Sequence, residues 1–333
     1  MRKKAEETET GHCMEAKKQQ YCGVGGQALM EGVMMRSGGD IGMAVRLPDG
    51  SIRTEKSEYR SICRNEKITK IPFLRGPVNF IDSLVMGMKT LGKSADWLME
   101  AEEAAEKTGE EAAGGKKEEK KGMGGLMAGS MFLAAVLCVG LFILLPMYAG
   151  RLLKPWIGNG IGLAVAEGVI RVLIFILYIL LISRMKDIRR VFMYHGAEHK
   201  CINCIERGLE LTVENVRKSS REHKRCGTSF LLYVMVISII VGIFLPREIF
   251  WQRLLSRLLM IPVVVSLSYE FIRLAGRFDN PVMRILSRPG MWLQKLTTRE
   301  PEDDMIEFGI ASVETVFDWE DWQCGTFGRE TAK

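Results

Sequence analysis

Only four histidines occur in the 333 residues, and three of them, His195, His199 and His223, fall within one basic stretch. His195 and His199 stand at i and i+4 in His195-Gly-Ala-Glu198-His199, so on a helix both imidazoles project from one face about a turn apart. That spacing suits two nitrogens on a single divalent cation, with zinc the expected metal. Glu198 lies one residue before the second histidine, giving His-x-x-Glu-His, the inverse of the zincin order. A carboxylate so placed can act as general base toward a water that the cation has acidified to a pKa near about 7.

Two imidazoles do not complete a metal site. His223-Lys-Arg-Cys226 offers a chelating His-x-x-Cys spacing, Glu206 follows His199 by about two turns, and Glu270 lies inside an apolar run. Glu270 is the preferred distant ligand, because an unpaired charge in a lipid-buried segment is expensive. If His195, His199, His223 and Cys226 all bind, the centre is closed and structural; if one stays free, a position remains for water and catalysis. Cys226 also reads as a nucleophile, since Gly227-Thr-Ser229 opens an apolar helix whose first amides favour a thiolate. The competing bland account leaves these histidines at headgroup level, hydrogen-bonded to lipid or carboxylates.

Other conspicuous residues carry less. Gly23-Val-Gly-Gly26 lacks the Lys-Ser/Thr ending of a phosphate-binding loop, which argues against a nucleotide. Glu167 and Arg171, i and i+4, suggest a local ion pair. Cys201 and Cys204, three apart, read as incidental.

The elements that must hold the histidines are membrane helices. Mean hydropathy is only +0.05, yet the apolar residues gather in four runs: Leu126 to Ala149, Ile161 to Ser183, Thr228 to Leu245 and Leu254 to Ala275. Each approaches the roughly 20 residues a helix needs to cross a bilayer, and the third is the shortest. Arg and Lys crowd the connection at 184–227 and are sparse in the two short connections, which places the His-rich loop and both termini in the cytoplasm of a bacterial inner membrane. Anionic lipid then accounts for the net charge of +6, and no nucleic acid is needed. The eight cysteines are scattered, and those in the cytoplasmic loop are expected to be reduced thiols.

The expected fold is an α-helical polytopic membrane protein, with about four transmembrane helices, a small N-terminal cytoplasmic β unit and a helical cytoplasmic C-terminal tail. Residues 1–21 read as a disordered leader, since no apolar core follows the basic start. Residues 22–66 form a Gly-rich β unit, with a hairpin of Met43–Leu47 and Ser51–Glu55 around Pro48-Asp-Gly50. Interfacial or core helices follow at 67–98, and a charged linker at 99–125. Past the last crossing, 276–333 holds a turn at Ser287-Arg-Pro-Gly290 and a helix started by Thr298-Arg-Glu-Pro301, with Ile306, Ile310, Val313 and Phe317 at helical spacing.

Four motifs in order, Gly25-Gly-Gln-Ala-Leu-Met-Glu-Gly-Val-Met-Met-Arg36, His195-Gly-Ala-Glu-His-Lys200, His223 with Arg225-Cys-Gly-Thr-Ser229, and Asn280-Pro281 through Leu296-Thr-Thr-Arg-Glu-Pro301, resemble the YqhQ-like bacterial membrane proteins. The resemblance implies a metal-dependent enzyme with no assigned substrate or reaction. It also draws attention to Gln27, Glu31 and Arg36, which imply that the β unit folds over the His loop and completes the site.

The leading expectation is a metal-dependent membrane hydrolase with His195, His199 and His223 as ligands, Glu198 as general base, and Cys226 or Glu270 as fourth ligand or auxiliary. Its partner is the bilayer, and a substrate at the cytoplasmic lipid boundary would be lipid-linked or a membrane peptide. A scaffold or assembly factor with a structural metal is the alternative. An ion or metal transporter is weaker, because Glu270 is the one deep acid on the inner side.

Overall fold

The computed structural model describes residues 19–63, 71–109, 123–158, 160–245, 249–278 and 280–328. Most of the leader expected at 1–21, and residues 110–122 of the expected linker, lie outside them.

Strands β1 (Val24–Leu29), β2 (Gly32–Ser37), β3 (Asp40–Arg46) and β4 (Ile52–Glu58) form an antiparallel meander in that order. The expected hairpin is its second half, with Met43 opposite Glu55 and Val45 opposite Arg53. Successive side chains on a strand alternate between faces. Val33 and Met35 therefore enter one core and Met34 another, while on β3 Ala44 faces the first core and Ile41, Met43 and Val45 the second. Both faces being covered explains the unbroken apolar run Val33-Met-Met.

Helix α1 (Arg75–Gly109) covers the second face with Met86 and Trp97, and continues through the first residues of the expected linker. After it come α2 (Met123–Val139), a π-helical turn (Gly140–Leu144), α3 (Leu145–Ile157) and α4 (Ile161–Ile182). Pro146 has no N–H for the Phe142 carbonyl. Arg171 of α4 supplies the missing donor, its Nε lying 2.8 Å from Phe142 O. The expected Glu167–Arg171 pair is not formed. Glu167, fully buried, instead faces Arg253 and Arg257 from a later helix, because that pairing sets two guanidiniums against the carboxylate.

Helix α5 (Lys186–Glu206) follows a turn at Ser183, then α6 (Val213–Lys218), α7 (Gly227–Ile243), α8 (Phe250–Leu259) and α9 (Ile261–Arg277). Helix α10 (Pro281–Thr297) contains Pro289, so the turn expected at Ser287-Arg-Pro-Gly290 is helical. Gly290 lets that helix approach α7, since a Cβ there would meet the Tyr233 hydroxyl at 2.8 Å. Helices α11 (Asp303–Val316) and α12 (Trp319–Phe327) complete the described chain. Ile306 and Val313 of α11 join Tyr194, Ala197 and Ile202 of α5 against the first sheet face.

Among the described residues three helical stretches, Phe132–Ile157, Ile161–Ile182 and Trp251–Arg277, are long and apolar enough to cross a membrane, and they fit a membrane protein. The third apolar run, the shortest of the four, forms the shorter helix Gly227–Ile243.

Candidate metal centre

Helix α5 carries His195, Glu198 and His199, and Cys226 caps the start of α7, its Sγ accepting from Thr228 N at 3.4 Å. One ligand atom each of His195, His199 and Cys226 lies within 4.8 Å of the others. His195 Nε2 is 3.2 Å from Cys226 Sγ. Tetrahedral zinc with ordinary bond lengths sets its nitrogen and sulfur ligands roughly 3.3–3.6 Å apart. The donor set therefore fits a zinc-type cation with small adjustments.

Two backbone carbonyls aim the rings. His195 Nδ1 is 2.9 Å from Thr297 O, and His199 Nδ1 is 2.6 Å from Arg221 O. A carbonyl only accepts, so Nδ1 carries the hydrogen in each ring and the lone pair of a neutral imidazole falls on Nε2. Metal-ligating histidines are held in this way. Gly196 makes the first contact possible, because a Cβ there would stand 2.0 Å from Arg299 O. Without one, residues 297–299 lie directly on α5, where Arg299 N donates to Phe192 O at 2.8 Å.

The electrostatics favour positive charge between these groups. Burial opposes an imidazolium at His195, but the Cys226 thiolate outweighs it and raises the pKa to about 9. His199 is raised against the same burial, again by Cys226. Burial alone would push the Cys226 thiol up, yet His195 and His199 hold it well below the usual thiol range. Glu198 adds a buried carboxylate, with Oε2 3.9 Å from His195 Nε2.

The β unit closes over this cluster. A Cβ at Gly26 would lie 2.6 Å from Glu198 Cγ, so β1 crosses the carboxylate at backbone distance. Between β1, α1 and the histidines is a cavity of about 780 Å³, lined by His195, Glu198, His199 and Cys226 and, across from them, by Gln27 and Arg36. The Arg36 guanidinium stacks over Tyr59, 5.3 Å from its ring centre, and donates to Gly38 O. Gln27 donates to Gly87 O at 3.4 Å.

Three expected site residues lie outside the His195–His199–Cys226 group. His223 is near, its ring centre 5.9 Å from that of His199, but its Nε2 lies 3.2 Å from a Glu206 oxygen. Its backbone is clamped by Gln294, which accepts from His223 N and donates to His223 O. Glu206 also meets Arg225, Gln19 and the Cys22 amide, so it braces His223 against the start of the β unit. Glu270 forms a two-pronged ion pair with Arg75 of α1, and a carboxylate held by a guanidinium joins helices rather than a metal. Glu31 grips Arg190 of α5 with both oxygens from a left-handed turn residue (φ 52°), which docks the β unit.

The carbonyls of Thr297 and Arg221 and the Gln294 clamp were not foreseen. Backbone acceptors carry no residue-type signal. Thr297 nevertheless lies in Leu296-Thr-Thr-Arg-Glu-Pro301, a motif singled out without a role.

The family described as protein of unknown function DUF1385 matches residues 71–319. The protein named "Uncharacterized protein YqhQ" from Bacillus subtilis (strain 168) is 36% identical over 293 residues, covering 86% of this chain and 90% of that protein. No solved structure matches. With a family match over most of its length and a relative aligned nearly end to end, the chain belongs to the YqhQ-like, DUF1385 family.

Proposed function

We propose that this protein is a metal-dependent membrane hydrolase whose cation is held by His195, His199 and Cys226. The observation that carries the reading is the convergence of two carbonyl-oriented imidazoles on one low-pKa thiol at the wall of a cavity. Three protein ligands leave a fourth position, the arrangement of catalytic rather than structural zinc. When bound, such a cation supplies Lewis acidity, polarising a carbonyl or phosphoryl oxygen and bringing a water into deprotonation range near neutral pH.

The chain's own groups supply the rest. Glu198 takes the proton from the attacking water and returns it to the leaving group. Gln27 and Arg36 face the reacting centre across the cavity and hold the substrate, the guanidinium favouring an anionic group such as phosphate or carboxylate. β1 excludes bulk water where it crosses Glu198. In this reading α7 is a fourth, shorter crossing beside the three long apolar stretches; the basic connection and both termini are then cytoplasmic, and the cavity meets lipid-linked or membrane-peptide substrates at the inner surface.

Metal analysis of the detergent-purified protein tests this. The wild type should hold one equivalent of zinc-type metal, and His195→Ala should hold none. Glu198→Gln should keep the metal and lose hydrolysis in a screen of phosphoester and peptide amphiphiles. A wild type without stoichiometric metal would sink the reading. A second reading, Cys226 as a nucleophile activated by His195, rests on their 3.2 Å contact. It predicts that iodoacetamide labels Cys226 at the same rate with or without added zinc.

A further inference from the structure

A second cavity lies among the apolar helices; it shares Leu231 with the first but includes none of the histidines. It has a volume of about 630 Å³ and apolar walls from α2, the π-helical turn, α4, α7 and α9, into which Arg171 and Arg257 project. On α7 its lining extends from Leu231 to Gly242, or roughly 16 Å at the helical rise. The cavity is therefore a groove about as long as one bilayer leaflet's hydrocarbon.

The charge in it is not balanced. Among the described residues, Arg171, Arg253 and Arg257 share one acid, Glu167, whose carboxylate meets Arg253 and Arg257. Among the same residues the hydrogen-bond partners of Arg171 are neutral, Phe142 O and the Ser238 hydroxyl, each at 2.8 Å. Arg257 Nη1 is buried and, among the described residues, has no hydrogen-bond partner. Three guanidiniums against one carboxylate leave an excess of two positive charges in apolar surroundings. Such an excess is expensive in lipid unless an anion meets it.

We infer that this groove binds an anionic phospholipid, its phosphate held by Arg171 and Arg257 and an acyl chain laid along α7. Guanidiniums recognise phosphate oxygens through paired N–H donors. A free anion would satisfy the charge but not the long apolar wall, whereas an amphiphile satisfies both. The inference rests on the membrane-spanning reading and is independent of the metal.

The test uses delipidated full-length protein in neutral detergent, with thermal unfolding followed as lipid is added. Phosphatidylglycerol should raise Tm saturably, on the order of 5 °C at about a hundredfold excess over Kd. Phosphatidylcholine and inorganic phosphate should not. Arg257→Gln should lose the shift. Gly242→Leu is the second variant: Gly242 lines the groove and a Cβ there meets nothing within 4 Å, so the larger side chain fills the apolar channel and leaves the arginines alone. It too should lose the shift while keeping the lipid-free Tm. An equal rise with phosphatidylcholine, a full rise with inorganic phosphate, or a shift retained in Gly242→Leu would each overturn the proposal. Recovery of the protein from the soluble fraction without detergent would instead remove the membrane reading beneath it.

Discussion

Replacing Gly196 with alanine should loosen the proposed metal centre without touching a proposed ligand. The added Cβ would stand 2.0 Å from the Arg299 carbonyl, and real Cβ atoms essentially never come within 3.0 Å of such an atom. Backbone on both sides cannot swing away as a side chain would, so residues 297–301 must retreat by about 1 Å. If the segment moves as a unit, Thr297 O goes from 2.9 Å to beyond hydrogen-bond reach of His195 Nδ1. Overpacking of this kind costs about 1–3 kcal/mol. Loss of an outer partner of a ligating histidine weakens metal binding about 10- to 100-fold. Zinc competition against a chromophoric chelator, with Tm measured in parallel, reads both effects. Gly227→Ala is the control, since a Cβ there, next to Cys226, meets nothing within 4 Å. A Gly196→Ala protein with wild-type zinc affinity and Tm would refute both the close approach of residues 297–299 to α5 and its role.

Two further outcomes follow from the same geometry. Because His195 and His199 hold the Cys226 thiol well below its usual range, its thiolate persists as pH falls. Alkylation of the metal-free protein should then stay nearly constant from about pH 9 to about pH 7, where an ordinary thiol slows more than tenfold; zinc should protect it. Glu31→Gln and Arg190→Gln should each lower stability by about 1 kcal/mol, the modest value expected for a partly exposed pair, and a double-mutant thermal cycle should show the losses to be non-additive.

The chemistry on one helix was legible in the sequence because helical spacing alone puts His195, Glu198 and His199 on one side of α5. The cap position of Cys226 was legible for the same local reason: Gly227-Thr-Ser begins an apolar run. The turn residues Pro48-Asp-Gly likewise disclosed the hairpin. What was not legible depends on distant partners. Glu270 and Glu167 were seen as needing company inside apolar segments, but a sequence does not say which of several arginines will arrive. Nor does it say that Glu206 and Gln294 will stand beside His223. The turn expected at Pro289 was overridden by packing, since Gly290 fits α10 against Tyr233.

The sheet's two covers are made at very different times. Helix α1 comes after β4 in the chain and can settle on Met34, Met43 and Val45 as soon as it is synthesised. The opposite face, with Val33, Met35 and Ala44, must wait for Tyr194 and Ile202 and finally for Met305 and Ile306. At ordinary translation speeds the approximately 270 residues between Met35 and Met305 take on the order of 15 to 55 s. Throughout that interval the nascent chain carries an uncovered apolar sheet while its apolar helices are still being made. The ribosome-bound intermediate is thus the most aggregation-prone form this protein passes through, and its last helices act as the closing step of folding.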